Sequence, residues 1–135
     1  MSKRKKYLIV APFSDDMNDL ILALDSHGNE AVGATFLPEA LAVLDDFCPD
    51  VIVTDLEVEE TPAQEILEQL ASYLEYAWHK KAVLAVMVGV DLRELVASRQ
   101  AELAQLGDVK IVFRDAVFLR ELLKLAEVVI PDEDE

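Results

Sequence analysis

Phe47-Cys48-Pro49-Asp50-Val51-Ile52-Val53-Thr54-Asp55-Leu56 is the stretch whose reading decides the fold. Residues 51–54 form a short β-branched run with a proline before it and a carboxylate after it. The run is continuous rather than alternating, as a strand covered on both faces should be. Runs of the same kind occupy residues 7–11, 31–35, 82–88 and 109–113, which makes five predicted strands. Each is followed by apolar residues at helical spacing. The series are Met17, Leu20, Ile21, Leu24; Leu37, Ala40, Leu41, Leu44, Cys48; and Ile66, Leu67, Leu70, Leu74, Ala77. Two more follow: Leu92, Leu95, Val96, Leu103, Leu106, and then Phe118, Leu119, Leu122, Leu123, Ala126.

Punctuation agrees with the periods. His27-Gly28-Asn29 and Leu106-Gly107-Asp108 suit helix ends, Asp91 with Glu94 suits a capping box, and Pro38 and Pro62 suit first turns. Strict alternation of strand and helix requires right-handed crossovers and a parallel sheet with helices on both faces. The fold class expected is α/β, a doubly wound (βα)5 parallel sheet in a single domain. Residues 1–6 read as a solvated basic tail, 7–130 as the domain, and 131–135 as an acidic disordered tail.

The chain has 135 residues, 27 acidic against 12 basic, and a formal net charge of −15. A domain of this size buries about 70% of its unfolded surface without disulfides or zinc. The lone Cys48 excludes an intramolecular disulfide, and two scattered histidines offer no zinc ligand set. The negative charge opposes nucleic acid and anionic lipid, and no apolar run is long enough to span a bilayer. A cytoplasmic location, with neutral or basic proteins as partners, is expected.

In open parallel sheets function sits at the carboxyl ends of the strands, beside the topological switch point. Strand one ends Ala11-Pro12-Phe13-Ser14, with no glycine-rich phosphate loop. The third ends at Asp55, the fourth at Met87-Val88-Gly89-Val90 and the fifth at Val112-Phe113-Arg114-Asp115. No base, nucleophile and oxyanion constellation is in view, so the chain does not read as an enzyme.

The run from Phe47 to Leu56, in the third of five βα units, resembles the receiver domain of two-component response regulators. The resemblance covers residues 7–130 and implies a flavodoxin-like sheet of strand order 2-1-3-4-5 with Asp55 as the phosphoacceptor. It also implies two acidic residues after strand one that hold Mg²⁺; those positions are Ala11 and Pro12. The hydroxyl residue implied after strand four is replaced by Gly89, and the Lys-Pro implied after strand five by Phe113-Arg114-Asp115. Arg114 is the one cationic substitute, and Arg is not equivalent to Lys. A single carboxylate is a poor octahedral site. Asp15 and Asp16 come four residues late and are expected to cap the first helix. Glu57, Glu59 and Glu60 read as a solvated loop.

The resemblance therefore implies a pseudo-receiver, a protein–protein interaction module in bacterial two-component signalling that has no cofactor. The alternative is a phosphorelay receiver phosphorylated at Asp55 by a histidine kinase, with Mg²⁺ as cofactor. A small-molecule binder using the switch-point crevice is a third reading. Asp55 also has a structural alternative, as an acceptor for neighbouring amides.

In receivers the face made by the fourth helix, fifth strand and fifth helix transmits the signal. Here it would carry Arg93, Arg99, Lys110, Arg114, Arg120 and Lys124, half of the twelve basic residues. With the acidic residues beside them and with Val117 or Phe118 exposed, they would permit a two-fold homodimer. The third helix is expected to be a turn longer than usual. Its Tyr73, Tyr76 and Trp78, beside His79-Lys80-Lys81, form an alternative contact patch or else cover the base of the sheet. His27 and His79 read as helix-terminal residues, and Cys48 as a small core hydrophobe.

Overall fold

The computed structural model describes residues 4–12, 14–55, 57–58, 60–88, 109–114 and 118–129. Strands β1 (Lys6–Val10), β2 (Glu30–Ala34), β3 (Val51–Asp55), β6 (Val83–Val88) and β7 (Val109–Phe113) form one sheet in the order β2-β1-β3-β6-β7. Every pairing in it is parallel. Taken as five principal strands this is the expected 2-1-3-4-5. Two short strands the sequence did not suggest, β4 (Glu57–Val58) and β5 (Thr61–Pro62), form an antiparallel hairpin after β3. The expected loop of Glu57 to Glu60 is thus a hairpin, with Glu60 exposed at its turn at φ 65°.

Alternate residues of the central strands enter two separate cores. Leu8, Val10, Ile52, Val86 and Val88 pack with Ala40 and Leu44 and with Ile66, Leu67, Leu70 and Leu74. Tyr7, Ile9, Val51, Val53, Ala85 and Met87 pack with Leu20, Leu24, Leu122 and Leu125 on the other face. Helices α2 (Leu37–Val43) and α3 (Ala63–Trp78) therefore cover one face, and α1 (Asp15–Ser26) and the C-terminal helix (Phe118–Val129) cover the other. Two-sided burial of this kind is why the strands read as unbroken apolar runs. The buried Tyr7 hydroxyl donates to the Leu122 carbonyl at 2.8 Å, tying β1 to the C-terminal helix. No helix among the described residues is long and apolar enough to cross a membrane.

Helix α1 starts at Ser14, whose hydroxyl accepts from the Met17 amide at 3.2 Å. The expected caps Asp15 and Asp16 instead occupy the first turn, where their charge meets the positive end of the helix dipole. The helix stops at Gly28, at φ +84°, while the Asn29 amide reaches back to the Leu24 carbonyl at 3.1 Å. Gly33 on β2 lets α1 sit close, because a Cβ there would lie 2.3 Å from Met17 Cε.

The amino ends of the strands are stitched by polar groups. Asp50, buried, accepts from the Lys6 amide at 2.9 Å and pairs with Lys80 Nζ at 2.5 Å. Arg4 and Lys5 reach Asn29 at 3.0 and 3.4 Å, and Lys6 belongs to β1, so residues 4–6 are not the solvated tail expected of them. Helix α2 ends at Val43, short of the Cys48 that the spacing suggested. Helix α3 runs for 16 residues and stops at His79, at φ 52°. Its end is fastened to the turn that follows α2: Trp78 Nε1 donates to the Leu44 carbonyl at 2.6 Å and the Tyr73 hydroxyl to the Asp45 carboxylate. The predicted fourth helix and the acidic tail lie outside the described residues.

Candidate functional site

The sheet register decides what meets Asp55. Asp55 is the last residue of β3 and pairs with Met87 of β6; Val88 of β6 pairs with Phe113 of β7. The Arg114 amide then donates to the Val88 carbonyl at 2.8 Å, which holds its backbone at the end of β6. Two strand spacings, about 9.6 Å, separate β7 from β3, a span that a long, extended side chain can bridge. Arg114 Nη2 reaches Asp55 Oδ1 at 2.6 Å. The side chains of Asp55 and Arg114 are 24% and 37% exposed. Burial pushes the Asp55 carboxyl above its ordinary value, and the Arg114 charge and hydrogen bond oppose that rise. The Thr54 hydroxyl donates to the Asp55 carbonyl at 3.1 Å and leaves the carboxylate alone.

Around this pair the end of β1 contributes no side-chain oxygen. Ala11 is buried, and its amide extends the ladder to the Ala34 carbonyl at 3.0 Å; Pro12 is exposed. Asp16 lines the same cavity as Asp55, Ala11, Pro12 and Arg114, a space of about 520 Å³ between α1, the strand ends and the C-terminal helix. Among the described residues no group of three or more His, Cys, Asp or Glu side chains is placed to hold a metal ion. Phe113 packs into the core on the α2 and α3 face, so of the two neighbours only Arg114 belongs to the site. Gly89 lies outside the described residues.

Of the basic face, Lys110, half-buried on β7, and Arg114, Arg120 and Lys124 are described, the last two exposed on the C-terminal helix. Arg99 and Val117 lie outside the described residues. Phe118, expected to be exposed, is half-buried against the α1-side core and helps to line the cavity, because its position in the first turn turns it inward. On α3, Tyr76 is 78% and Trp78 39% exposed, and the Tyr76 and Tyr73 rings lie 6.1 Å apart. The polar tips of Tyr73 and Trp78 are engaged with the turn after α2, so Tyr76 is the side chain of the three that stands furthest into solvent. The His27 Nδ1–H donates to the Ala23 carbonyl at 2.9 Å at the end of α1. Cys48 is half-buried against the core, and burial pushes its thiol up.

Sequence reasoning did not find the cavity's wall. Met17, Leu20 and Leu119 were visible only as members of apolar periods, which do not distinguish a core position from a crevice position, while Met87 was read as a strand end and Phe118 as an exposed contact residue. Ser14, three residues before Met17, carried a usable signal as a helix cap.

No protein-family model matches the chain, and no curated protein matches it. Solved structures do. A response regulator receiver protein from Pseudomonas putida is 24% identical, with a TM-score of 0.68 over 95% of this chain and 99% of that one. A chemotaxis response regulator of Vibrio cholerae is 18% identical, with a TM-score of 0.70 over 95% of this chain and 100% of that one. An uncharacterised protein from Neptuniibacter caesariensis is 14% identical, with a TM-score of 0.73 over 94% of this chain and 91% of that one. At these identities the likeness is one of fold, and the fold is the receiver fold.

Proposed function

We propose that this chain, built on the receiver fold of response regulators, is a signalling domain in a two-component pathway that works by protein contact rather than by Mg²⁺-dependent phosphorylation. The observation that carries the reading is the 2.6 Å pair of Asp55 with Arg114. Magnesium is held by several hard oxygens in near-octahedral geometry. Here the carboxylate at the end of β3 already has a cation against it, and Ala11 and Pro12 stand where further carboxylates would be needed. The described residues do not fit Mg²⁺. The reading is of a non-enzymatic, cytoplasmic module whose partners are signalling proteins rather than nucleic acid or membrane, in keeping with the net charge of −15. Its contact face is the one carrying Arg99, Arg114, Arg120 and Lys124, through which two copies can also pair.

One observation favours the second reading, phosphorylation of Asp55 by a histidine kinase. Asp55 is about a quarter exposed at the carboxyl end of the central strand, with a guanidinium placed to compensate added negative charge. Amide spectra during titration with Mg²⁺ and beryllofluoride separate the two. No saturable shift is expected at Thr54, Asp55, Met87 or Arg114; saturable, Mg²⁺-dependent shifts there would establish the phosphorylated reading instead. For the contact face, Arg99→Glu with Arg120→Glu should reduce the sedimentation mass of a dimer and lower partner affinity. If neither changes while Trp78→Ala abolishes binding, the patch on α3 is the contact.

A further inference from the structure

The cavity beside Asp55 has a character that protein contact does not use. Its wall is apolar and comes from four elements: Met17 and Leu20 of α1, Met87 of β6, Phe118 and Leu119 of the C-terminal helix, and Ala11 after β1. Its volume of about 520 Å³ falls inside the range of about 300–1,000 Å³ typical of small-molecule sites. It also lies between the ends of β1 and β3, where the strand order reverses and where open parallel sheets bind ligands. The wall includes two thioethers, which adapt to irregular shapes, and an aromatic ring.

Among the described residues, the ionisable groups on the wall are Asp16, Asp19, Asp55 and Arg114. Asp55 and Arg114 satisfy one another at 2.6 Å, so the charge left facing the cavity is that of Asp16 and Asp19. These two stand three residues apart on α1, on one side of the helix, and both are exposed at the cavity mouth. An anionic ligand would meet two carboxylates, and Arg114 is already engaged. A cation would meet them as counter-ions and would find Phe118 available for a cation–π contact.

We propose that this crevice is a binding site for a small organic cation, an aryl- or alkylammonium whose apolar body fills the space between α1 and the C-terminal helix while its charged group lies against Asp16 and Asp19. The site rests on the Asp55–Arg114 pair of the unphosphorylated domain, as the proposed function has it, and it adds a small-molecule input to a domain that acts through protein contact.

Methionine ε-methyl spectra test it directly, because two of the chain's three methionines line the cavity. The probes are phenethylammonium, the neutral 2-phenylethanol and the anionic 3-phenylpropionate. Phenethylammonium should produce saturable shifts of the Met17 and Met87 methyls, with the alcohol several-fold weaker and the carboxylate weaker still. Asp16→Asn with Asp19→Asn, both at exposed positions, should lower ammonium affinity about five-fold and leave the alcohol unchanged. Ala23→Leu, which narrows the cavity from α1, should weaken the ammonium and the alcohol together. Absence of saturable methyl shifts with all three probes overturns the site. Equal affinity for ammonium and carboxylate, or no response to the double substitution, overturns its cation preference.

Discussion

Removing the Arg114 charge while keeping its stem, as Arg114→Met, should destabilise the domain at about pH 7 and leave it nearly unchanged in acid. A hydrogen bond to a charged group contributes about 1.5–3 kcal/mol when buried, and an exposed ion pair about 0.2–1 kcal/mol. Arg114 is 37% exposed and Asp55 24%, so the pair belongs between these limits. A loss of about 1 kcal/mol is expected, which is about 3–5 °C in Tm for a domain of this size. The pH dependence follows from Asp55. Its carboxyl already lies above the ordinary 3.8 in the folded chain, and Arg114 is what holds it down. Without Arg114 it rises further, so between 3.8 and the raised value the folded state binds more protons than the unfolded one. The variant therefore loses stability as pH rises through that window, shows its full penalty above it, and shows none below 3.8 where both states are protonated. Urea denaturation at about pH 7 and about pH 3.5, for Arg114→Met, Asp55→Asn and the double variant, measures both the penalty and the coupling. Asp55→Asn should lower stability by less than Arg114→Met, because it removes the buried charge rather than stranding it. A penalty for Arg114→Met that persists in acid, or that is the same with Asn at position 55, would refute the account of this pair.

Asp50→Ala should destabilise by about 2 kcal/mol in urea unfolding, because it leaves the Lys6 amide without its acceptor and frees Lys80 at the base of the sheet. Gly28→Ala should lower stability by about 1 kcal/mol, since the residue sits at φ +84° with open space around it, so the loss reflects backbone conformation alone.

The sheet was legible in the sequence because its central strands bury both faces, so Tyr7 to Val10 and Val51 to Thr54 read as runs that no amphipathic helix would produce. The end of α1 was equally legible, since Gly28 marks a left-handed position whatever packs around it. Helix α2 was overestimated: Cys48 packs against the same core as Leu37 and Leu41, but the turn at residues 44–46 delivers it there rather than a continued helix. The hairpin of β4 and β5 was missed because two-residue strands carry no period and one of them contains Pro62. Asp55 and Arg114 were both identifiable as strand-end residues. Their contact required the register, which places β7 one strand beyond β6 and sets the Arg114 backbone against Val88. The anchoring of Trp78 and Tyr73 was out of reach, because the partners, Leu44 and Asp45, lie 34 and 28 positions away.

The stitching at the amino ends of the strands gives the two ends of the sheet unequal compliance. There Asp50 joins Lys6 and Lys80, Asn29 joins Arg4 and Lys5, and the Val83 amide meets the Asp50 carbonyl, so β1, β2, β3 and the entry to β6 are clamped as a base plate. At the opposite end, Asp55 and Arg114 bridge the ends of β3 and β7. Anything that engages the crevice thus bears on the bridge from β3 to the end of β7, while the plate behind it is held by the contacts at the amino ends.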